Sequence, residues 1–208
     1  MPETARKLME YRYFLLPGAH EKAARNGYDG AQFPWESAWL DDGEVTPEYM
    51  GTDIVTGQLI KVWSGFIEIH ITSDVAFGAW QYYVCTGDQD FMDRYGYELI
   101  FDCARFWASR LEPGEDGLLH INDVVGPDEY KEHVDDNAFT NYLAKWTMDK
   151  AIEYAELLKT DKPELYAALD EKLGISGLLP VWKEQTRIFY LTQPNENGVL
   201  PQDSTYLT

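Results

Sequence analysis

The sequence has 208 residues, of which 17 are basic and 36 acidic, so the formal net charge is −19 with histidine neutral. A chain this acidic repels nucleic-acid phosphates and anionic lipid, which excludes nucleic-acid binding and membrane-surface binding as main functions. Hydrophobic residues make up 45% and charged residues 25%, proportions typical of globular proteins, and we expect residues 1–208 to fold as a single domain.

Apolar residues recur at helical spacing through most of the chain. With Pro17 and Gly27 as start and stop signals, the spacing predicts helices over residues 3–15, 17–27, 66–85, 88–112 with a break near Gly96, 137–159 with Asp136 as N-cap, 163–173 and 176–190. A short β-like segment is expected near 117–125. The predicted fold class is therefore all-α, and helix pairs with long connections are typical of α-solenoids and of closed α/α toroids.

Residues 28–65 show no sustained hydrophobic period and are predicted to form a long loop. Loops of this length in compact domains are usually functional or disordered. Three tryptophans, Trp35, Trp39 and Trp63, argue for an ordered loop.

The N-terminus and the cysteines bear on the cellular compartment. Residues 1–12 are charged where a secretory segment needs an apolar run, and apolar stretches are short, so a soluble cytoplasmic protein is expected. Cys85 and Cys103 lack paired spacing and fall in apolar helical patterns. Both are predicted to be free thiols that pack as small hydrophobic groups.

A polar stripe runs beside the apolar face of the helix predicted over 66–85. It contains His70 and Asp74, one turn apart, followed by Phe77 and Gln81. Two interpretations stay open: a buried helix that presents a polar row to a cavity, or a histidine–aspartate pair satisfied within the core.

An acidic loop, residues 126–137, holds five carboxylates within nine residues. If buried, they would repel one another and raise the pKa of at least one, which suits a general acid; if exposed, they form a solvated loop. Calcium binding ranks low because the Asp-x-Asp-x-Asp-Gly order is missing. His133 lies inside this loop and is the histidine most suggestive of a site.

Other familiar catalytic motifs are missing from the sequence. It contains no HExxH, no paired CxxC, no GxSxG and no glycine-rich phosphate loop. The acidic and aromatic composition therefore favours carboxylate-based chemistry on a sugar, whose apolar face stacks on aromatic rings.

Several segments together resemble glycoside hydrolase family 65, which contains phosphorylases of maltose, trehalose and kojibiose. They are Tyr11-Arg12-Tyr13 with Leu16-Pro17-Gly18-Ala19, the run from Gly27 to Ser37, His70 to Ala76, Ala104 to Ala108, Val125 to Tyr130, and Asn137 to Asn141. Each is modest alone, and together they are specific for the family. The resemblance implies part of an (α/α)6 toroid whose long loops form a sugar pocket.

The resemblance also implies roles for individual residues. Glu129 matches the general acid, and Trp35 and Glu36 match the glucose-binding loop. His70, Asp74 and Asp128 are weaker candidates for lining the same pocket. The implied reaction releases β-glucose 1-phosphate with inversion and uses inorganic phosphate as co-substrate, with no cofactor and no metal. A homodimer is expected for the full-length protein.

The sequence departs from the family pattern in two ways. Lys131 and Asp136 stand where the family usually has His and Asn. Family members are also several times longer, and the Trp-Asp substrate loop and the Lys-Gln phosphate segment have no counterpart here. We therefore expect this chain to be the central half of a catalytic toroid, with exposed helix faces that predict self-association or poor stability.

Two alternatives to phosphorolysis follow from the same residues. One is an inverting hydrolase similar to acid trehalase, which needs a second carboxylate as base. The other is a sugar-binding or structural helical domain without catalysis.

Overall fold

The computed structural model describes residues 1–38 and 43–206, so Trp39, one of the three loop tryptophans, lies outside the described residues. The described part is mostly helical, which confirms the all-α prediction. The helices are α1 (Pro2–Phe14), α2 (Leu16–Arg25), α3 (Ser64–Ile67), α4 (Ile71–Thr86), α5 (Gln89–Phe91), a π-helical turn (Met92–Gly96), α6 (Tyr97–Arg110), α7 (Ala138–Asp161), α8 (Pro163–Leu173) and α9 (Ile175–Arg187).

Two short antiparallel strand pairs lie between the helices. Strand β1 (Tyr49–Thr52) pairs with β2 (Leu59–Lys61) with an irregular register, and β3 (Glu112–Pro113) pairs with β4 (Leu119–His120). The prediction of a long loop over 28–65 is therefore wrong in its second half, where β1 and β2 form a hairpin. The β-like segment near 117–125 is present as β4.

The helix predicted over 66–85 begins later, because the chain turns between α3 and α4 and His70 is the N-cap residue of α4. The break near Gly96 is a π-helical turn within a continuous helical run. The N-cap of α7 is Asn137, whose side chain accepts a hydrogen bond from the Thr140 amide, so the assignment to Asp136 was one residue early.

The core forms where α4, α6 and α7 pack against one another, and α9 contacts both α6 and α7. Helix α6 is buried along most of its length, and Trp107 and Trp182 are fully enclosed. Cys103 packs in this core as predicted. Cys85 is exposed near the end of α4, so its predicted burial is wrong, although both thiols are free.

The N-terminal ends of α4 and α7 lie side by side. His70 meets Phe139 edge-to-face at 5.3 Å between ring centroids, and Thr147 donates to Ser73 Oγ at 3.2 Å. The Phe33 amide donates to Thr72 Oγ1 at 3.1 Å and so brings the loop after α2 to the same end. No helix among the described residues is both long and apolar enough to cross a membrane.

Candidate active-site cleft

An open cleft of about 690 Å³ lies beside the acidic loop. One wall comes from the β1–β2 hairpin and the start of α3, and the other from the acidic loop. The lining residues are Met50, Ile60, Lys61, Val62 and Ser64 on the first wall, and Val125, Pro127, Asp128, Glu129, Tyr130 and Glu132 on the second. The cleft thus sets a carboxylate-rich wall against a largely apolar one that carries an ammonium group.

Glu129 lies on the acidic wall and is exposed. Within residues 1–38 and 43–206, no hydrogen bond or ion pair involves its carboxylate. Next to it, Asp128 accepts hydrogen bonds from the Tyr130 amide at 3.3 Å and from Gln202 Nε2 at 3.2 Å. Residues 128–130 of the acidic loop are exposed. The structure therefore fits the exposed, solvated interpretation of this part of the loop, and strong repulsion between buried carboxylates does not apply to it.

The backbone that carries Glu129 is strained at several points. Asp123, His133 and Asp136 have φ angles of 54°, 57° and 52°. The left-handed region costs a non-glycine residue about 1–2 kcal/mol. Hydrogen bonds compensate, since Val124 and Val134 exchange two backbone hydrogen bonds of 2.9 Å. Strain of this kind persists only where the surrounding contacts determine the conformation.

A network of charged side chains lies beside the cleft at the start of α4. His70 Nδ1 is 2.8 Å from Asp74 Oδ2, and His70 Nε2 is 3.1 Å from Glu68 Oε1. Burial alone would lower the pKa of His70, but the hydrogen bonds to the two carboxylates outweigh burial and raise it to about 9. His70 is therefore protonated at neutral pH, between the carboxyl groups of Asp74 and Glu68.

Glu68 is the most deeply buried member of this network. Its side chain is only 1% exposed, and burial raises its pKa, with a smaller contribution from the charge of Glu129. The Val125 amide donates to the Ile67 carbonyl at 3.1 Å, which joins this segment to the strand entering the acidic loop. His70 and Asp74 of the predicted stripe therefore form an ion network with Glu68, in which His70 and Glu68 are buried and the Asp74 side chain is 41% exposed. The network lies beside the cleft and outside its lining.

Trp35 and Glu36 lie in a turn organised by Glu44. The Glu44 carboxylate accepts hydrogen bonds from the backbone amides of Trp35 at 3.0 Å and Glu36 at 3.2 Å, and it forms an ion pair with Lys22. Lys22 Nζ also donates to the Gly65 carbonyl at 3.0 Å. This turn therefore adjoins the α3 wall, although neither predicted residue is among the cleft-lining residues described.

The histidine singled out in the acidic loop has a packing role. His133 lies edge-on to Trp63 at 4.4 Å and hydrogen-bonds Asp123 at 2.6 Å. Lys61 Nζ lies 4.2 Å from the ring centroids of both Trp63 and Phe66. Across the described ranges, no group of three or more His, Cys, Asp or Glu side chains is placed to hold a metal ion.

Comparison with known proteins decides the family. A model described as the central catalytic domain of glycosyl hydrolase family 65 matches residues 1–208. The chain belongs to glycoside hydrolase family 65. The family match confirms the resemblance seen in the sequence motifs. The relatives of this family described next are glycoside phosphorylases and a glycoside hydrolase, so the chain belongs to a family of enzymes.

Two curated relatives of family 65 show how the chain compares with longer proteins. A kojibiose phosphorylase of Halothermothrix orenii is 48% identical over 97% of this chain, which covers 26% of that protein. A kojibiose hydrolase of Flavobacterium johnsoniae is 40% identical over 85% of this chain and 24% of that protein. The chain thus spans about a quarter of the length of these family 65 relatives.

A solved structure supports the fold. A human-microbiome protein that carries the provisional name kojibiose phosphorylase superposes with a TM-score of 0.76, at 24% identity, over 97% of this chain and 27% of that one. The helical arrangement fits part of a family 65 (α/α)6 toroid.

Sequence reasoning missed three residues that organise the region: Glu44, Lys61 and Glu68. A signal for Glu68 is present, since Glu68 and His70 alternate with Ile67, Ile69 and Ile71. Charged residues between isoleucines in a buried segment need partners, which predicts an ion pair there. Glu44 and Lys61 lie in the segment without periodicity, and nothing in their local sequence distinguishes them.

Proposed function

We propose that this chain carries the general-acid side of an inverting α-glucoside phosphorylase that acts on a disaccharide of the kojibiose, maltose or trehalose type. Glu129 protonates the glycosidic oxygen while an oxygen of inorganic phosphate attacks the anomeric carbon from the opposite face. The bond to the leaving sugar breaks, and β-glucose 1-phosphate forms with inversion.

Glu129 on the cleft wall, without a competing partner, is the observation that carries this proposal. A general acid must lie within hydrogen-bond reach of the proton acceptor, directly or through one water, and a carboxyl group without a protein partner is open to make that contact. Two neighbouring carboxylates are engaged elsewhere, Asp128 with Gln202 and Asp136 with His120 at 2.8 Å. Glu132, on the same wall, shares with Glu129 the lack of a partner among the described residues. The cleft volume lies in the range of small-ligand sites.

The remaining predicted site residues take supporting roles in this proposal. The Trp35 ring and the Glu36 carboxylate would contact the glucose unit, with the indole stacking on its apolar face. Asp128 would contact substrate from the acidic wall. His70 and Asp74 would support the site from beside the cleft through the network with Glu68.

Phosphate as the nucleophile makes a second catalytic carboxylate unnecessary, because phosphate is already anionic. We accordingly propose phosphate as co-substrate, without a cofactor. The homodimer and the cytoplasmic location expected from the sequence stay part of this proposal. The hydrolase similar to this chain supports a second candidate, in which water replaces phosphate and a carboxylate outside residues 126–137 serves as base.

The test is a product assay on the complete gene product with kojibiose first, then maltose and trehalose. With inorganic phosphate, we expect β-glucose 1-phosphate and free sugar in equal amounts, and no turnover in phosphate-free buffer. Glucose release that is independent of phosphate would establish the hydrolase. Sugar binding without turnover in either buffer would favour a binding domain.

A further inference from the structure

The residues on either side of Glu129 are anchored to one short segment, residues 202–205. On one side, Asp128 Oδ2 accepts from Gln202 Nε2 at 3.2 Å. On the other, Lys131 Nζ donates to Asp203 Oδ1 and to Thr205 Oγ1, both at 2.8 Å. Because the Glu129 carboxylate has no partner of its own among the described residues, its position depends on the backbone that these anchors hold.

The second half of the acidic loop is joined to the same segment through the backbone. The Ser204 amide donates to the Asp135 carbonyl at 3.0 Å, and the Ala138 amide donates to the Gln202 carbonyl at 2.8 Å. Asn137 Nδ2 adds a hydrogen bond of 3.3 Å to the same carbonyl. The segment thus contacts the acidic loop from Asp128 to the start of α7.

Asp203 makes this attachment depend on Lys131. Its side chain is 0% exposed. Burial alone would raise the pKa of Asp203, but hydrogen bonds from Lys131 and Thr205 outweigh burial and lower it. Removal of the ammonium group would leave a buried carboxylate without its cation, which strongly disfavours the docked segment.

We propose that the 202–205 segment positions Glu129 for catalysis and that Lys131 is the positioning residue that connects them. The inference rests on the proposed role of Glu129 as general acid.

The test compares three replacements in the complete gene product. Lys131→Met removes the cation, Lys131→Arg keeps it, and the double variant Lys131→Met/Asp203→Asn also removes the stranded carboxylate in case the single variant folds poorly. Lys145→Met is the matched control, because Lys145 forms an ion pair of 2.7 Å with Asp149 on α7. The readouts are kcat and KM for phosphorolysis, and amide hydrogen exchange of residues 126–137.

Lys131→Met and the double variant should lose about 10-fold or more in kcat, with KM within about twofold, because small displacements of a catalytic group cost rate more than binding. Exchange in the acidic loop should accelerate. Lys131→Arg should restore both, and Lys145→Met should change neither. Unchanged kcat and exchange in the double variant, or equal losses in Lys145→Met, would overturn the proposal.

Failure of the proposed function looks different. If the wild-type protein forms no glucose 1-phosphate, the phosphorylase assignment fails. The exchange measurement then still decides whether the segment holds the loop: acceleration in Lys131→Met supports the attachment, and unchanged exchange overturns it.

Discussion

The charge network of His70 makes a quantitative prediction about stability and pH. Folding raises the pKa of His70 from 6.5 to about 9, because its hydrogen bonds to Asp74 and Glu68 outweigh burial. A histidine whose pKa is higher in the folded state stabilises the fold fully at pH values below its unfolded-state pKa. This contribution is lost as the pH rises through the folded-state pKa. The contribution is about 3 kcal/mol at pH 6, about 1.4 kcal/mol at pH 8 and about 0.4 kcal/mol at pH 9.

The perturbation is the double replacement His70→Gln/Glu68→Gln, which leaves no buried carboxylate without its cation. The unfolding free energy of the wild type minus that of the double variant should fall by about 2–3 kcal/mol between pH 6 and pH 9. Urea unfolding of the 208-residue chain, followed by tryptophan fluorescence, measures this difference, and His133→Gln, at a half-exposed site, is the control. A difference that stays constant or grows with pH would refute a charged, paired His70.

Two further predictions concern backbone geometry and thiol exposure. Gly30→Ala should destabilise the chain by more than about 2 kcal/mol, because the new Cβ would lie 2.4 Å from the Phe106 amide nitrogen. Gly27 also has a positive φ but has open space around it, so Gly27→Ala should cost about 1 kcal/mol. Equal losses of unfolding free energy in urea would contradict this. A thiol reagent should label the exposed Cys85 in the folded chain and Cys103 only in denaturant, because Cys103 is buried and burial raises its pKa. Peptide mapping locates the label, and rapid labelling of both cysteines in the folded chain would contradict the packing.

The sequence predicts most helices of this fold because they bury one face, and burial imposes a period on the apolar residues. Helices α7 and α8 appear within a few residues of their predicted bounds. The β1–β2 hairpin was missed for the opposite reason: all four residues of β1 are exposed, so no alternation of apolar and polar residues marks it. Cys85 was misplaced because the apolar helical period continues into the last turn of α4, where residues 84–86 are all exposed.

The candidate site was predictable through the family motifs, and only in part through physics. Composition favours a carboxylate site in the acidic loop but cannot separate Glu129 from Glu132, because both are glutamates of the same loop. In the structure, too, both are exposed on the same cleft wall. The two glutamates differ in where the folded backbone of the loop places them. The partners that fix this backbone, Gln202 and Asp203, lie about 70 residues away, and no local pattern links them to the loop.

The measurement that tests the central claim most directly compares Glu129→Gln with Glu132→Gln in the complete gene product. Both replacements remove one carboxylate from the same cleft wall at nearly constant shape. We expect kcat for phosphorolysis to fall about 100-fold or more in Glu129→Gln, with KM little changed, because a general acid acts mainly in the transition state. Glu132→Gln should stay within about threefold of the wild type. If Glu129→Gln keeps most of its rate, or if Glu132→Gln loses as much, Glu129 is not the acid.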